Sequence, residues 1–150
     1  MADAVTERMT IHASKEACFD VLLDFERYPE WARDLKEVEV LERDEQGRGR
    51  LVRYRAAGMG YSTSYTLEYD YDDGDRVTWK LVDGDLVRQL DGCYLFTPVE
   101  GGDEAVEVEY QLTADLKMPL PGFVKRRTQL KIMHTAVREL KTRVEAQSLA

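Results

Sequence analysis

The sequence predicts an α+β fold in which a curved antiparallel sheet of about seven strands wraps around a long C-terminal helix, with two short helices after the first strand. Three observations support this prediction: strand-like alternation between residues 35 and 116, helical periodicity over 123–147, and a strand-then-helix pattern before residue 31. The chain has 150 residues, 43% of them hydrophobic, and we expect a single domain over 1–150.

The N-terminal segment is predicted to form a strand followed by a helix. Apolar and polar residues alternate over 4–12, which is typical of a strand. Ser14 is a suitable N-cap, and apolar residues follow it at helical spacing as far as residue 23 or 25. Pro29 disfavours helical backbone at the residue before it, so a short second helix or a turn should follow.

Six strands are predicted between Leu35 and Leu116. Turn-forming sequences recur at 45–49, 58–60, 72–75, 83–85 and 100–104, and they are too short to contain crossover helices, so an antiparallel meander is favoured. A bulge at Gly92 would exchange the two faces of its strand. One face of the sheet should be aromatic, with Tyr54, Tyr61, Tyr65, Tyr69, Trp79, Tyr94, Phe96 and Tyr110.

A long amphipathic helix is predicted after the MPLPG segment at 118–122, because residues 123–147 contain neither Gly nor Pro. The sheet has one face that needs covering and this helix has one apolar stripe, so the two should pack together. The stripe comprises Phe123, Leu130, Met133, Val137, Leu140 and Val144.

Charge and composition exclude some classes of function. The 29 acids and 21 bases give a net charge of −8, which disfavours nonspecific binding to nucleic acid. No apolar run approaches the roughly 18 residues that span a bilayer. The N-terminus lacks a basic start with an apolar stretch, and Cys18 and Cys93 show no paired pattern, so we expect a cytoplasmic protein.

Positive charge is concentrated near the C-terminus. Residues 116–150 hold eight bases and two acids, a net +6, so the other 13 bases and 27 acids give −14. These bases are expected either to form a solvated helix face or to contact an anionic partner. For the second alternative, Lys125, Arg126 and Arg127 could touch an anionic membrane surface, an acidic group of a ligand or an acyl-carrier partner.

The sequence does not identify catalytic residues. His12 is expected to be structural or exposed, whereas His134 lies at the margin of the helix stripe and could point inward or outward. Arg88 could anchor a carboxylate or enolate oxygen or lie on the surface. No nucleophile-elbow, zinc-protease or phosphate-loop motif is present, and we expect neither a metal nor a cofactor.

Three segments carry a resemblance to a known family: IHASKEACFDVLLDFERYPEW at 11–31, LKEVEVLERDEQGRGR at 35–50 and DGCYLFTP at 91–98. With the order of predicted elements, the chain resembles the START and polyketide cyclase/dehydratase (SRPBCC) superfamily, which has the helix-grip fold. That superfamily includes aromatic polyketide cyclases as well as lipid-transfer and coenzyme Q-binding proteins. The resemblance implies an elongated cavity between the concave sheet face and the C-terminal helix, open at one end for a hydrophobic ligand.

Three hypotheses of function follow from the resemblance and the aromatic face. The first is noncatalytic binding or transfer of a lipid, quinone or aromatic polyketide. The second is a polyketide cyclase or dehydratase acting in the same cavity, and the third is a protein-interaction module. The candidate cavity residues are Tyr54, Tyr65, Trp79, Arg88, Tyr94, Tyr110, Met133, His134 and Val137.

Overall fold

The computed structural model describes residues 4–58, 61–72, 75–100 and 104–148. The turns predicted at 58–60, 72–75 and 100–104 therefore fall partly outside the described residues. The elements in chain order are β1 Val5–Ile11, α1 Lys15–Leu23, a 3₁₀ helix Phe25–Glu30, β2 Leu35–Arg43, β3 Gly49–Gly58, β4 Tyr61–Asp72, β5 Arg76–Gly84, β6 Val87–Pro98, β7 Val106–Leu116 and α2 Gly122–Ser148.

The seven strands form one antiparallel sheet in the order β1-β7-β6-β5-β4-β3-β2. Strands β2 to β7 are a meander in which each strand pairs with the next, and β1 is added beside β7. The predicted α+β architecture, a curved sheet with a long C-terminal helix, is confirmed.

The two short helices follow β1 as predicted. The Ser14 hydroxyl accepts a hydrogen bond of 3.0 Å from the Ala17 amide and so caps α1. Pro29 lies inside the 3₁₀ helix, which is six residues long. Helices of this tighter type are usually short. The Tyr28 hydroxyl donates to the Leu22 carbonyl, which ties the 3₁₀ helix to the end of α1.

The register around Gly92 is regular. Gly92 pairs with Trp79 on β5 and with Leu112 on β7, and the irregularity of β6 lies between Val87 and Gln89 instead. A Cβ atom on Gly92 would lie 2.6 Å from Cζ2 of Trp79 and would clash with the Gln111 carbonyl oxygen. Only glycine therefore lets the indole approach β6 this closely.

The outer face of the sheet is charged. Arg50 bridges Glu42 and Glu68 at 2.7 and 2.8 Å, and Lys80 reaches Glu68 at 3.3 Å, so one network crosses four strands. Such exposed pairs contribute little stability, about 0–1 kcal/mol each, but they keep this face solvated. The opposite, inner face holds the hydrophobic core.

Helix α2 packs against β1, β7 and α1 through its C-terminal part. Met133, Val137, Leu140 and Val144 are all fully buried there. The assignment of Phe123 to the buried stripe was wrong, because its side chain is 68% exposed and the first buried residue of α2 is Gln129. The first turns of α2 therefore project beyond β1, β7 and α1, which cover the C-terminal part of the helix.

Candidate functional site

Aromatic side chains from five neighbouring strands line the inner face and contact one another. Tyr54 stacks on Tyr65 with ring centroids 5.4 Å apart, and Trp79 lies 5.3 and 5.5 Å from Tyr94 and Tyr110. Alternation along each strand brings these rings together, because residues two apart face the same side. The ring contacts give this face a rigid apolar surface.

The hydroxyl groups of the tyrosines near α1 form hydrogen bonds within the protein. The hydroxyls of Tyr54 and Tyr69 are hydrogen-bonded to each other at 2.5 Å. The Tyr71 hydroxyl donates to the Gly49 carbonyl at 2.5 Å, and that of Tyr28 donates to the Leu22 carbonyl. These four side chains therefore act as parts of the core at this end of the sheet.

The tyrosines farther along the inner face are different. Across the described ranges of the chain, the hydroxyls of Tyr65, Tyr94 and Tyr110 and the indole N–H of Trp79 have no hydrogen-bond partner. Trp79, Tyr94 and Tyr110 are nonetheless 6%, 8% and 4% exposed as whole residues. Buried hydroxyl and indole groups usually have a partner, so these atoms mark where a polar contact can be supplied from outside.

Burial keeps these hydroxyls protonated. It raises the pKa of Tyr94 above its ordinary value near 10, and no other influence contributes. Burial also raises the pKa of Tyr110, and the nearby hydroxyls of Tyr94, Tyr69 and Tyr65 raise it further. Both side chains are therefore neutral hydrogen-bond donors at physiological pH.

Apart from Glu7, which pairs with Tyr110, charged groups lie around this surface rather than on it. Of the residues that the structure describes, the buried polar ones are Thr66, Asp115 and Gln129. Asp115 lies 3.2 Å from the Lys125 ammonium, at the junction of β7 and α2. Gln129 accepts a hydrogen bond of 2.8 Å from the Ala114 amide of β7.

The inner face is less covered at the end of the sheet away from α1. At the covered end, Phe96 of β6 contacts Phe19 of α1, with ring centroids 4.8 Å apart. Leu90, six residues earlier on β6, is only half-buried and lies about 20 Å away along the strand. We call the half-buried apolar residues at this end the distal rim; they are Trp31, Leu35, Tyr65, Leu81, Leu90 and Leu130.

Strands β5 and β6 separate at the distal rim. Their pairing runs from Arg76 to Trp79, after which Lys80–Gly84 pair with β4 only. The Leu81 amide instead donates to the Asp91 carboxylate at 3.0 Å. The Asp91 side chain thus replaces a backbone hydrogen bond between β5 and β6 beside Leu81 and Leu90. The sheet is therefore held less tightly next to the rim.

Two concavities occur elsewhere on the surface. One, of about 320 Å³, lies between α1 and the ends of β3 to β5, with Phe19 and Tyr71 among its lining residues. The other, of about 450 Å³, lies over charged residues of β2 to β4, including Arg53 and Arg55. Neither coincides with the expected cavity between the sheet and α2, where aromatic side chains occupy the inner face.

The candidate residues on the sheet and on α2 fall into three groups. Met133 and Val137 are fully buried on α2, and Tyr65 belongs to the distal rim. The remaining inner-face candidates are buried: Trp79, Tyr94 and Tyr110 are in mutual ring contact, whereas Tyr54 stacks on Tyr65. The side chain of Tyr61 lies outside the described residues.

His134 and Arg88 lie outside this cluster. The His134 imidazole is 46% exposed, and its Nδ1 contacts the Glu7 carboxylate. The Arg88 side chain is 61% exposed and lies 3.6 Å from the Asp115 carboxylate, and Arg88 is the residue at the irregularity between Val87 and Gln89. Of the two positions predicted for each residue, inside the site or on the surface, the surface position is observed for both. Neither residue therefore belongs to the proposed site.

Glu7 is an inner-face residue that the sequence reasoning missed. It pairs in register with Tyr110, and its Oε2 atom is enclosed without a hydrogen-bond partner in the described part of the chain. The alternation of β1 contains the signal, since Glu7 falls between Val5 and Met9 on the apolar face. Because Val5 and Met9 are hydrophobic, this face of β1 was predicted to be apolar, and Glu7 was not considered as a site residue.

The described ranges show neither a metal site nor a membrane-spanning helix. No three histidine, cysteine, aspartate or glutamate side chains there are grouped so as to hold a metal ion. No helix found there is long and apolar enough to cross a membrane.

Solved structures similar to this chain cover nearly all of it. A START superfamily protein from Mycobacterium smegmatis has a TM-score of 0.86 at 24% identity, covering 96% of this chain and 98% of that one. The Zhui aromatase/cyclase from Streptomyces sp. R1128 has a TM-score of 0.78 at 15% identity, covering 99% and 96%. A protein from Thermus thermophilus has a TM-score of 0.76 at 25% identity, covering 97% and 99%. These likenesses agree with the helix-grip fold.

A search of the curated proteins gave no match. A family profile, in contrast, matches residues 2–145, and this family is described as polyketide cyclase / dehydrase and lipid transport. Because the match spans almost the whole chain, from before β1 to near the end of α2, the protein belongs to the polyketide cyclase / dehydrase and lipid transport family.

Proposed function

We propose that the protein binds a hydrophobic, ring-bearing small molecule against the inner face of its sheet, for transport or sequestration. The observation that carries this proposal is the continuity between the distal rim and the aromatic inner face. Tyr65 belongs to the rim and stacks on buried Tyr54, so a ligand entering there meets aromatic surface at once. The family to which the chain belongs supports the same class of ligand.

The rim also offers a path by which side chains can move aside. Leu81 and Leu90 are half-buried on two strands that are no longer paired to each other.

Binding that removes about 300 Å² of apolar ligand surface from water contributes roughly 7–8 kcal/mol, before an association cost of several kcal/mol. Apolar burial alone therefore gives weak binding, and micromolar affinity needs polar contacts as well.

A second candidate is catalysis of polyketide cyclisation in the same place. The fold likeness to an aromatase/cyclase favours it, and the neutral donors Tyr94 and Tyr110 could hold carbonyl oxygens of a folded polyketide. Cyclisation also needs a proton acceptor. Glu7 is on the inner face, but one of its oxygens contacts His134 and the other is enclosed, so binding remains the better-supported function.

We also propose that delivery uses a transient contact between α2 and an anionic membrane surface. Phe123 is exposed, and Arg126 and Arg127 follow it by three and four residues, so all three share one helix face. Lys125 is less suited to this role because its ammonium group lies 3.2 Å from the Asp115 carboxylate. An exposed aromatic beside two arginines is suited to an anionic lipid surface.

Identifying the co-purified molecule tests the proposed function. The purified protein is denatured and extracted, and the extract is analysed by mass spectrometry. A stoichiometric intact lipid, quinone or other hydrophobic ring compound is expected. A poly-β-ketone or its cyclised product would favour the enzyme instead. An empty extract, together with no binding of a hydrophobic dye, would contradict both and favour a protein-interaction module.

A further inference from the structure

Three hydrogen-bond donors form one cluster on adjacent strands. Trp79 of β5, Tyr94 of β6 and Tyr110 of β7 lie with ring centroids 4.8 to 5.5 Å apart. Tyr94 and Tyr110 are directly opposite each other in the register, and Gly92 lets the indole approach them. We call these three side chains the donor triad.

The polar atoms of the donor triad are buried but not sealed. None of them has a hydrogen-bond partner in the described ranges. The fully enclosed side-chain atoms without a hydrogen-bond partner there are Glu7 Oε2, Asp115 Oδ1 and Arg143 Nε, so the triad's atoms border space that a water-sized molecule can reach. A hydrogen bond from one of these donors to a ligand's acceptor atom contributes about 0.5–1.5 kcal/mol net.

The charged side chain that pairs with the triad in the register is an anion, because Glu7 lies opposite Tyr110. No lysine, arginine or histidine among the described residues is buried, so no cation faces the triad from within the core. The influences on the pKa of Tyr94 and Tyr110 are burial and neighbouring tyrosine or cysteine side chains, all of which oppose negative charge. An anionic ligand group here would lose its hydration without gaining a counter-charge.

We propose that the donor triad is the specificity-determining subsite of the ligand site, and that it binds the carbonyl oxygen of a neutral ring compound while rejecting carboxylates. This inference rests on the proposed function, which concerns hydrophobic binding in general. It adds the chemistry of the polar group: an acceptor without charge, placed on a ring that lies against Trp79.

Three naphthalenes of nearly equal shape test this subsite: 2-acetylnaphthalene, 2-ethylnaphthalene and 2-naphthoate. Equilibrium dialysis with the full-length protein gives the dissociation constant of each. We expect the ketone to bind about tenfold more tightly than the hydrocarbon, and the carboxylate to bind more weakly than the ketone. In the Tyr94→Phe/Tyr110→Phe variant, the ketone should lose this advantage while the hydrocarbon binds as before.

Tyr71→Phe is the matched control, because that hydroxyl is already bonded to the Gly49 carbonyl. It should leave the ratio of ketone to hydrocarbon affinity unchanged. The single variants Tyr94→Phe and Tyr110→Phe, each expected to lower the ratio about threefold, serve if the double variant does not fold. Equal affinity of the wild type for ketone and hydrocarbon would overturn the subsite but leave hydrophobic binding intact. Failure of all three compounds to bind would overturn the proposed function and the subsite together.

Discussion

Gly92 shows how one residue determines the shape of the candidate site. Its missing side chain makes room for the Trp79 indole, and Trp79 in turn contacts Tyr94 and Tyr110. The sequence placed these aromatic residues on one face by alternation alone. It could not show which of their polar atoms find partners, because Tyr54 meets Tyr69 only once β3 and β4 are in register.

Replacing Gly92 with Ala should therefore destabilise the fold and displace Trp79. The added methyl group would clash with the Gln111 carbonyl oxygen and lie 2.6 Å from the indole, so both must shift. We expect a loss of about 1–3 kcal/mol in the free energy of unfolding, measured by urea denaturation, and a change in tryptophan fluorescence.

The matched control is Gly122→Ala, since a Cβ atom on Gly122 meets nothing within 4 Å. This variant should unfold at or above the urea concentration of the wild type, because alanine favours the helix that begins there. Equal midpoints for Gly92→Ala and the wild type would show that the close approach of Trp79 has no energetic importance.

Helix α2 has two parts with different roles. From Met133 onward its apolar stripe is buried, as periodicity predicted, whereas Leu130 is half-buried and Phe123 in the first turn is exposed. Periodicity identifies which face of a helix is apolar, but it cannot show where the covering layer ends. For the same reason, the basic cluster could not be divided from sequence into Lys125, which contacts Asp115, and the outward arginines.

The Arg126→Ala/Arg127→Ala variant tests the proposed membrane contact. Each base near an anionic surface contributes about 1 kcal/mol, so the double variant should bind vesicles containing phosphatidylserine roughly 10- to 30-fold more weakly in a sedimentation assay. Phe123→Ala should weaken the same binding by removing the apolar contact.

Arg53→Ala/Arg55→Ala is the control for net charge. These arginines lie on the outer face, where they pair with Glu39 and Glu37. The control changes the charge of the protein by the same amount and should leave vesicle binding unchanged. Equal losses in both double variants would mean that overall charge, rather than the first turns of α2, attracts the protein to the membrane.

At the scale of the whole molecule, the interior is an apolar body that contains many phenol groups. Burial raises the pKa of each of them well above 10, and the closeness of several hydroxyls adds to this effect. The alternation and turn spacing of the sequence were enough to predict this sheet and its aromatic face. The distal rim was not predictable, since it depends on where α1 and α2 leave the sheet uncovered.

These phenols predict steep alkaline unfolding. In the unfolded chain each titrates near its ordinary value of 10, while the folded state retains its proton to higher pH. The stabilisation is therefore fully present below pH 10 and is lost as the pH rises above it, by about 1.4 kcal/mol per pH unit for each buried tyrosine.

Absorbance at 295 nm, which follows tyrosinate, and circular dichroism should therefore change together in one transition above pH 10. The Tyr94→Phe/Tyr110→Phe variant has fewer titrating groups and should show a shallower dependence of stability on pH. Gradual tyrosinate formation with unchanged circular dichroism would show that the phenols are open to solvent in the folded protein.

The central claim is that a ring compound enters at the distal rim and lies on the inner face. The most direct measurement is the pattern of amide chemical shift changes when 2-acetylnaphthalene is added to the ¹⁵N-labelled protein. We expect the largest changes at Tyr65, Leu81, Leu90 and Trp79. Changes confined to the concavity at α1 around Phe19 and Tyr71, or to the charged outer face around Arg53 and Ser64, would contradict the claim.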